Sequence, residues 1–428
     1  MIKALPVACF LFLLACSPAV HLKKELVKAE NSLQDHMGFM LFDPVTQKTL
    51  VDYKASQYFT PASNTKIFTL YAGLQLLGDS VPSIKYQTHD DSLIFWGLGD
   101  PSLLYKNVFQ NNRTFSFLAN SKQQLFYSGS NFQTDRFGVG WSWDDYNYDY
   151  SPERSSFPVY GNLITATEQE PGKFSVAPAY FSHLVVKGPT KKEEGEIVRD
   201  MHSNQLTFFQ GEEILKDTVY VPFLVNDELT MRLLADTLDK TITRVYKNVP
   251  IDAATLRSIP VDSLYRVMMQ DSDNFLAEQI LMMCASMVSD TLKPEIAISY
   301  MKKNFLVDLP DEPEWVDGSG LSRFNLFTPR SVVKLWEKID RQIPRERLFK
   351  LLAVGGKSGT LRNSYKADVP YLYGKTGTLS NNHSLSGFVL TKKGKTFIFS
   401  CMSANYVKST SEVRKRMEEL LKFIHDKY

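Results

Sequence analysis

Three short pieces of this chain carry side chains suited to moving an acyl group: Ser63 with Lys66, Ser272 with Asn274, and Lys375 followed by Thr376, Gly377 and Thr378. A serine hydroxyl becomes a strong nucleophile when a neighbour takes its proton, and an amine one helical turn away can do so while neutral. The run Phe59-Thr60-Pro61-Ala62-Ser63-Asn64-Thr65-Lys66 reads as the entry to a helix. Pro61 opens it, Ile67, Leu70, Tyr71, Leu74 and Leu77 recur at helical spacing, and Gly78 stops it. Ser63 then falls in the first turn, where unpaired N–H groups and the positive end of the dipole favour developing negative charge. A lysine at its solution pKa is charged at neutral pH. Lys66 must therefore be discharged, by burial and by a nearby cation such as Lys375.

Spacing alone is weak evidence, since Ser299…Lys302 and Ser331…Lys334 repeat it on what reads as ordinary helix surface. Order decides. Ser-x-Asn also occurs at Ser380 and Ser403, but only Ser272-Asp273-Asn274 lies between a Ser-x-x-Lys and a Lys-Thr-Gly. Ser63, Ser272 and Lys375 thus complete the ordered triplet used by serine penicillin-recognising enzymes. Ser272-Asp273-Asn274 also suits a helix N-cap ahead of Phe275, and the two roles are compatible. Lys357-Ser358-Gly359-Thr360 mimics the third motif, yet only Lys375 leads into an alternating strand.

The elements around these pieces read as an α+β protein. Over 428 residues there is room for two or three domains. Residues 32–78 and 251–428 form the expected catalytic domain. It has a hairpin of Met37–Phe42 and Thr49–Tyr53 across Asp43-Pro44-Val45-Thr46, and helices over Val261–Met269, Asn274–Met287, Pro294–Phe305 and Pro329–Ile339. Strands Gly374–Leu379, Leu385–Leu390 and Thr396–Met402 and an amphipathic helix Thr410–His425 close it. Two N-terminal and three C-terminal strands would make one antiparallel sheet with helices packed on it. Between the halves, 79–160 and 221–250 read as a β-rich insert and 161–220 as a possible reduced third domain. In that stretch Gln205–Phe209 and Thr218–Val221 flank Gly211-Glu212-Glu213.

With a net charge of +2 and no basic run, nothing in the composition suggests nucleic acid or an anionic membrane surface as the main partner. Seven histidines lack metal-ligand spacing, so neither a metal nor another cofactor is expected. Lys3 and the apolar run Ala4–Ala15 read as an export leader over 1–15. The run ends in Leu13-Leu14-Ala15-Cys16, which resembles a bacterial lipobox and implies cleavage before Cys16 and lipid on its thiol. That lipid would anchor the protein to a membrane on its periplasmic face, with 16–31 as a polar tether. A plain secretory leader with a chance cysteine is the alternative. Cys284 and Cys401 read as free buried thiols, although an exported compartment permits a bridge.

Further runs carry a likeness across nearly the whole mature chain. They are Pro61–Leu77, Gly99-Asp100-Pro101-Ser102-Leu103, Gly140-Trp141-Ser142-Trp143-Asp144-Asp145, Asp317-Gly318-Ser319-Gly320-Leu321-Ser322-Arg323 and Thr328-Pro329. With the three motifs, the chain resembles the low-molecular-mass class C penicillin-binding proteins, serine D-Ala-D-Ala carboxypeptidases and endopeptidases of bacterial cell walls. The resemblance implies a penicillin-recognising transpeptidase-like domain split by an insert, with peptidoglycan stem peptides as substrate and β-lactams as acylating inhibitors. It implies that Ser63 attacks, Lys66 acts as base, Ser272 relays a proton, and Asn274 orients Lys66 and binds the substrate amide. Lys375 and Thr376 would hold the terminal carboxylate, and the N–H groups of Ser63 and Thr378 the oxyanion. Gly377 would leave room for the peptide to approach as a strand. Asp145, Tyr150 and Arg323 map onto a pocket for the zwitterionic end of diaminopimelate, while a glutamine often found after the motif lysine is Ser380 here. The rival readings are a β-lactamase on the same domain and a catalytically idle peptidoglycan-binding lipoprotein.

Overall fold

The computed structural model describes residues 18–105, 108–110, 113–189 and 191–428; the leader over 1–15 and Cys16 lie outside the described residues. The first described element departs from the sequence reading. Where a polar tether is expected stands helix α1, Pro18–Leu33, with Leu22, Leu26, Ala29 and Leu33 buried. These four fall three or four residues apart, so a segment that is polar on average still has one apolar face. Glu30 pins the helix to the next strands, accepting hydrogen bonds from the Met37 N–H at 3.1 Å and from the Tyr53 hydroxyl.

Strands β1 (His36–Asp43) and β2 (Lys48–Tyr53) form the expected hairpin. A 3-10 turn over Ala62–Thr65 leads into α2 (Lys66–Leu76), which stops before Gly78 in the left-handed region at φ 71°. After the insert come α3 (Val261–Gln270), α4 (Asn274–Ser286), α5 (Pro294–Phe305), α6 (Pro329–Gln342) and α7 (Arg345–Leu351). The chain ends with β3 (Ala353–Val354), β4 (Leu372–Leu379), β5 (Asn382–Leu390), β6 (Thr396–Ala404) and α8 (Thr410–Lys427). Thr328 caps α6 by accepting the Ser331 N–H at 3.2 Å.

The six strands pair antiparallel in the order β3-β4-β5-β6-β1-β2. Helices cover both faces, which buries nearly all of β5 and β6. One core joins α2, α3, α4, α5 and α6 to Phe388 and Met402; the other joins α1 and α8 to Leu385 and Cys401. Neighbours on a strand point to opposite faces. Cys401 is therefore screened by the sheet from Cys284 in the first core, and both thiols are free. Among the described residues the cores draw on side chains from Leu22 to Ile424, all of which a chain starting at Ser17 contains.

The insert runs further than the sequence reading has it. Its strand Ala254–Pro260 pairs back on Ser80–His89, which moves the boundary from 250 to Pro260. These two strands belong to a five-stranded sheet. Residues 161–220 contribute to two small three-stranded sheets, but Phe181, Ile197, Leu206 and Phe208 share one core with Phe95 and Phe157 of the insert. The third-domain region thus has no separate core among the described residues. Leu206–Phe209 and Val219–Pro222, which flank Gly211-Glu212-Glu213, enter different sheets and form no hairpin.

Candidate active site

The 3-10 turn bearing Ser63 sits directly on the sheet because the sheet is lined there with small side chains. Ser384 donates its hydroxyl to the Pro61 carbonyl at 2.6 Å, and Ser386 to Asn64 Oδ1 at 2.5 Å. Asn64 Nδ2 donates in turn to the Lys375 carbonyl at 2.9 Å. Gly377 completes the fit, since a Cβ there would stand 2.5 Å from the Pro61 oxygen and 2.9 Å from the Ser63 nitrogen. Glycine is required for the packing of β4 on the nucleophile turn, which differs from the peptide clearance expected of it. On the other side, a Cβ on Gly320 would stand 1.9 Å from the Ala62 oxygen. Ala62 and Ser272 themselves lie in the left-handed region, at φ 49° and 64°. For side-chain-bearing residues this costs about 1–2 kcal/mol each, held by the surrounding contacts.

Lys66 is fully buried, with its amine 2.9 Å from Ser63 Oγ, 2.6 Å from Asn274 Oδ1 and 2.7 Å from the Ser319 carbonyl. Burial draws its pKa down to about 8, against the opposing charges of Asp317, Asp273 and Glu278. Lys375, also buried, donates to Ser272 Oγ and to the Thr376 carbonyl, both at 2.8 Å. Its pKa falls well below the usual lysine value, through burial first and then through the charge on Lys66. Desolvation, rather than the neighbouring cation, is thus what lowers the Lys66 pKa.

A buried scaffold that the sequence reading did not assign holds these amines. Asp317 accepts the N–H groups of Gly320 at 2.8 Å and Ser322 at 2.7 Å, Asn325 Nδ2 at 2.8 Å and Trp141 Nε1 at 2.9 Å. Glu278 accepts the Ser319 N–H at 2.7 Å and the Arg154 guanidinium at 2.5 Å. The Asp-Gly-Ser-Gly spacing was the visible signal for Asp317. Glu278 and Arg154, mid-helix and mid-loop, gave none.

The structure also brings the three pocket residues to the same cleft. A cavity of about 490 Å3 is lined by Ser63, Asn274, Asp145, Tyr150, Arg323 and Thr378 among others. Tyr150 donates to Asp145 at 2.9 Å, and burial raises the Asp145 pKa. Asn274 Nδ2 donates to the Tyr150 carbonyl at 2.9 Å, tying the insert to α4. Behind Ser63 lies a smaller recess of about 220 Å3 that includes Ser272, Thr360, Thr376, His383 and Arg414. Thr360, from the motif mimic, meets the Thr376 hydroxyl at 2.8 Å, whereas Lys357 stays on the surface. His383 Nδ1 lies 2.8 Å from the Thr378 hydroxyl and is kept neutral by burial, its pKa lowered to about 3. Among the described residues no cluster of three or more His, Cys, Asp or Glu side chains could hold a metal, and no helix is long and apolar enough to cross a membrane.

This arrangement has known relatives. Residues 21–426 match the profile of the D-Ala-D-Ala carboxypeptidase 3 (S13) family. The chain belongs to that family. Within the S13 likeness, D-alanyl-D-alanine carboxypeptidase DacB of Haemophilus influenzae is 23% identical over 461 residues, covering 92% of this chain and 90% of the relative. The crystal structure of penicillin binding protein 4 (dacB) from Haemophilus influenzae superposes with a TM-score of 0.74 at 18% identity, covering 95% of this chain and 99% of that one. A predatory peptidoglycan endopeptidase from Bdellovibrio bacteriovorus shares the fold with a TM-score of 0.50 at 15% identity, covering 91% and 93%.

Proposed function

We propose that this S13-family chain hydrolyses the D-alanyl-D-alanine end of peptidoglycan stem peptides through an acyl-enzyme on Ser63. The observation that carries the reading is the buried Lys66 amine, of pKa about 8, standing 2.9 Å from the Ser63 hydroxyl. Neutral Lys66 takes the hydroxyl proton as Ser63 Oγ bonds to the penultimate D-alanine carbonyl carbon. The N–H groups of Ser63 and Thr378 receive the oxyanion; one such donor is typically worth about 10²–10³-fold in rate. The C–N bond breaks as the leaving amine gains a proton relayed through Ser272, whose hydroxyl is already bonded to Lys375. Water then cleaves the ester on Ser63, with Lys66 again as base.

Asp145, Tyr150 and Arg323 give this cleft an anionic and a cationic group for a zwitterionic diaminopimelate end. Cross-link cleavage uses the same chemistry with a longer leaving group. β-Lactams acylate Ser63 by the same attack. Leu13-Leu14-Ala15-Cys16 supports a lipid anchor on Cys16, facing the periplasm once the leader is removed. With α1 starting at Pro18, only Ser17 would separate the anchor from the folded domain. Incubation with uncross-linked and cross-linked muropeptides, followed by product separation, tests the activity. Release of D-alanine supports it; intact muropeptides alongside rapid penicillin turnover would assign a β-lactamase instead. For the anchor, Cys16→Ala should release the protein from membranes, and an unchanged membrane fraction contradicts it.

A further inference from the structure

The charges balance to +2 over the whole chain, but they are not evenly spread. Helices α1 and α8 lie antiparallel: His21 stacks on Phe423 with ring centres 4.7 Å apart, and the groove between the helices continues to Ser32 and Arg416. The C-terminal end of α8 holds the β5–β6 turn, where the Lys392 N–H donates to the His425 carbonyl and the Lys393 ammonium to the Lys427 carbonyl, both at 2.9 Å. Lys395 of that turn lies near Asp43, which pairs across the β1–β2 hairpin with Lys48. One end of the domain therefore gathers Lys48, Lys392, Lys393, Lys395, Lys422 and Lys427, all exposed, with Lys23 and Lys24 beside them on the first turns of α1.

Acids there are few and occupied. Asp426 pairs with Lys392 at 2.6 Å, Glu25 with Lys28 at 2.6 Å, and Asp43 is buried, accepting its own turn's N–H groups. Among the described residues, the other lysines of this end have no ion-pair partner.

The cleft lies at the opposite end. Thr410, the first residue of α8, lines it together with Ser63, and Lys427, the last, lies among the lysines. That helix of 18 residues spans about 27 Å. The nine residues of β5, from Asn382 beside Leu379 to Leu390 beside the lysine turn, span a similar length, about 26 Å. Pro18, through which residues 1–17 join the described chain, stands at the lysine end.

We propose that this lysine-bearing end docks on an anionic phospholipid surface, holding the catalytic cleft about 25 Å from the bilayer and turned away from it. The choice of lipid over another polyanion rests on the Cys16 anchor read above, which delivers this end to a membrane. A basic patch beside a lipid chain is the usual second signal for stable attachment. Each lysine near such a surface is worth roughly fivefold in partitioning, and the attraction fades within about 10 Å as salt is added. Whole-chain composition does not reveal the patch because acids elsewhere cancel it.

The test uses the chain from Ser17, which retains every core residue among those described and lacks the lipid site, so it does not depend on the anchor. Flotation with vesicles of phosphatidylglycerol and phosphatidylcholine should carry the protein at low salt, and vesicles of phosphatidylcholine alone should not. Reversing Lys392, Lys393, Lys395 and Lys427 to Glu should lower the partition by more than a hundredfold, with penicillin labelling of Ser63 unchanged as the folding control. Reversing Lys191 and Lys216, far along the insert, should leave it unaltered. Equal binding to both vesicle types, no binding to either, or full binding by the fourfold variant each overturns the proposal. None of these results bears on whether Cys16→Ala releases the full chain.

Discussion

Lys375 stands behind Ser272, its amine 2.8 Å from that hydroxyl, and burial first, then the charge on Lys66, lowers its affinity for a proton. The two buried amines are thus divided between two serines: Lys66 serves the nucleophile, and Lys375 serves the hydroxyl that relays a proton to the leaving group.

The protonation of Lys66 should govern the rate. With its pKa at about 8, the neutral base is populated above that value and lost below it. Acylation by a chromogenic cephalosporin should rise roughly tenfold per pH unit below 8 and flatten above it. Asp273 favours the ammonium form, and it caps α4 by accepting the Leu276 N–H at 2.8 Å, a role asparagine can also fill. Asp273→Asn should shift the limb to lower pH. A limb that stays in place or moves up would contradict the assignment of Lys66 as base.

Gly320→Ala tests the close approach that positions the nucleophile turn. The added methyl would meet the Ala62 oxygen at 1.9 Å, and φ is 86°. A loss of about 3 kcal/mol or more in urea denaturation is expected, with a large drop in penicillin acylation. Wild-type stability and acylation together would show that the turn does not depend on this contact.

The Arg154–Glu278 pair, both nearly fully buried, should behave as a scaffold. Removing one partner strands the other charge, so Glu278→Gln should cost about 3–5 kcal/mol. The double variant Arg154→Met, Glu278→Leu should recover part of that loss. Additive losses in the double-mutant cycle would mean that the two do not act together.

Arg323→Ala should reduce kcat/KM on diaminopimelate-containing peptides by about 10–100-fold, the loss expected for a charge-assisted contact. A simple acyl-D-Ala-D-Ala substrate should be much less affected. Equal losses on both would place Arg323 outside side-chain recognition.

The sequence showed most of the catalytic domain because its elements carry local signals: the Thr328 cap with Pro329 and the helical spacing in Thr410–Lys427. The three motifs were visible through their order along the chain, and the Asp145, Tyr150 and Arg323 pocket only through the family resemblance. Most of what stayed hidden depends on distant contacts, the first helix excepted. The apolar face of α1 was masked by its polar average. The last strand of the insert could be assigned only through its pairing with Ser80–His89. Ser384 and Ser386 read as filler until the nucleophile turn is set on them, and Glu278 with Arg154 joins residues more than a hundred positions apart.

The most direct measurement is the site of acylation. Protein incubated with benzylpenicillin is digested, and the mass-shifted peptide is mapped, alongside Ser63→Ala and Lys66→Ala. The account predicts one adduct, on the peptide carrying Ser63, absent from Ser63→Ala and formed about 10²–10⁴-fold more slowly in Lys66→Ala. An adduct on any other residue, or one that persists in Ser63→Ala, would contradict it.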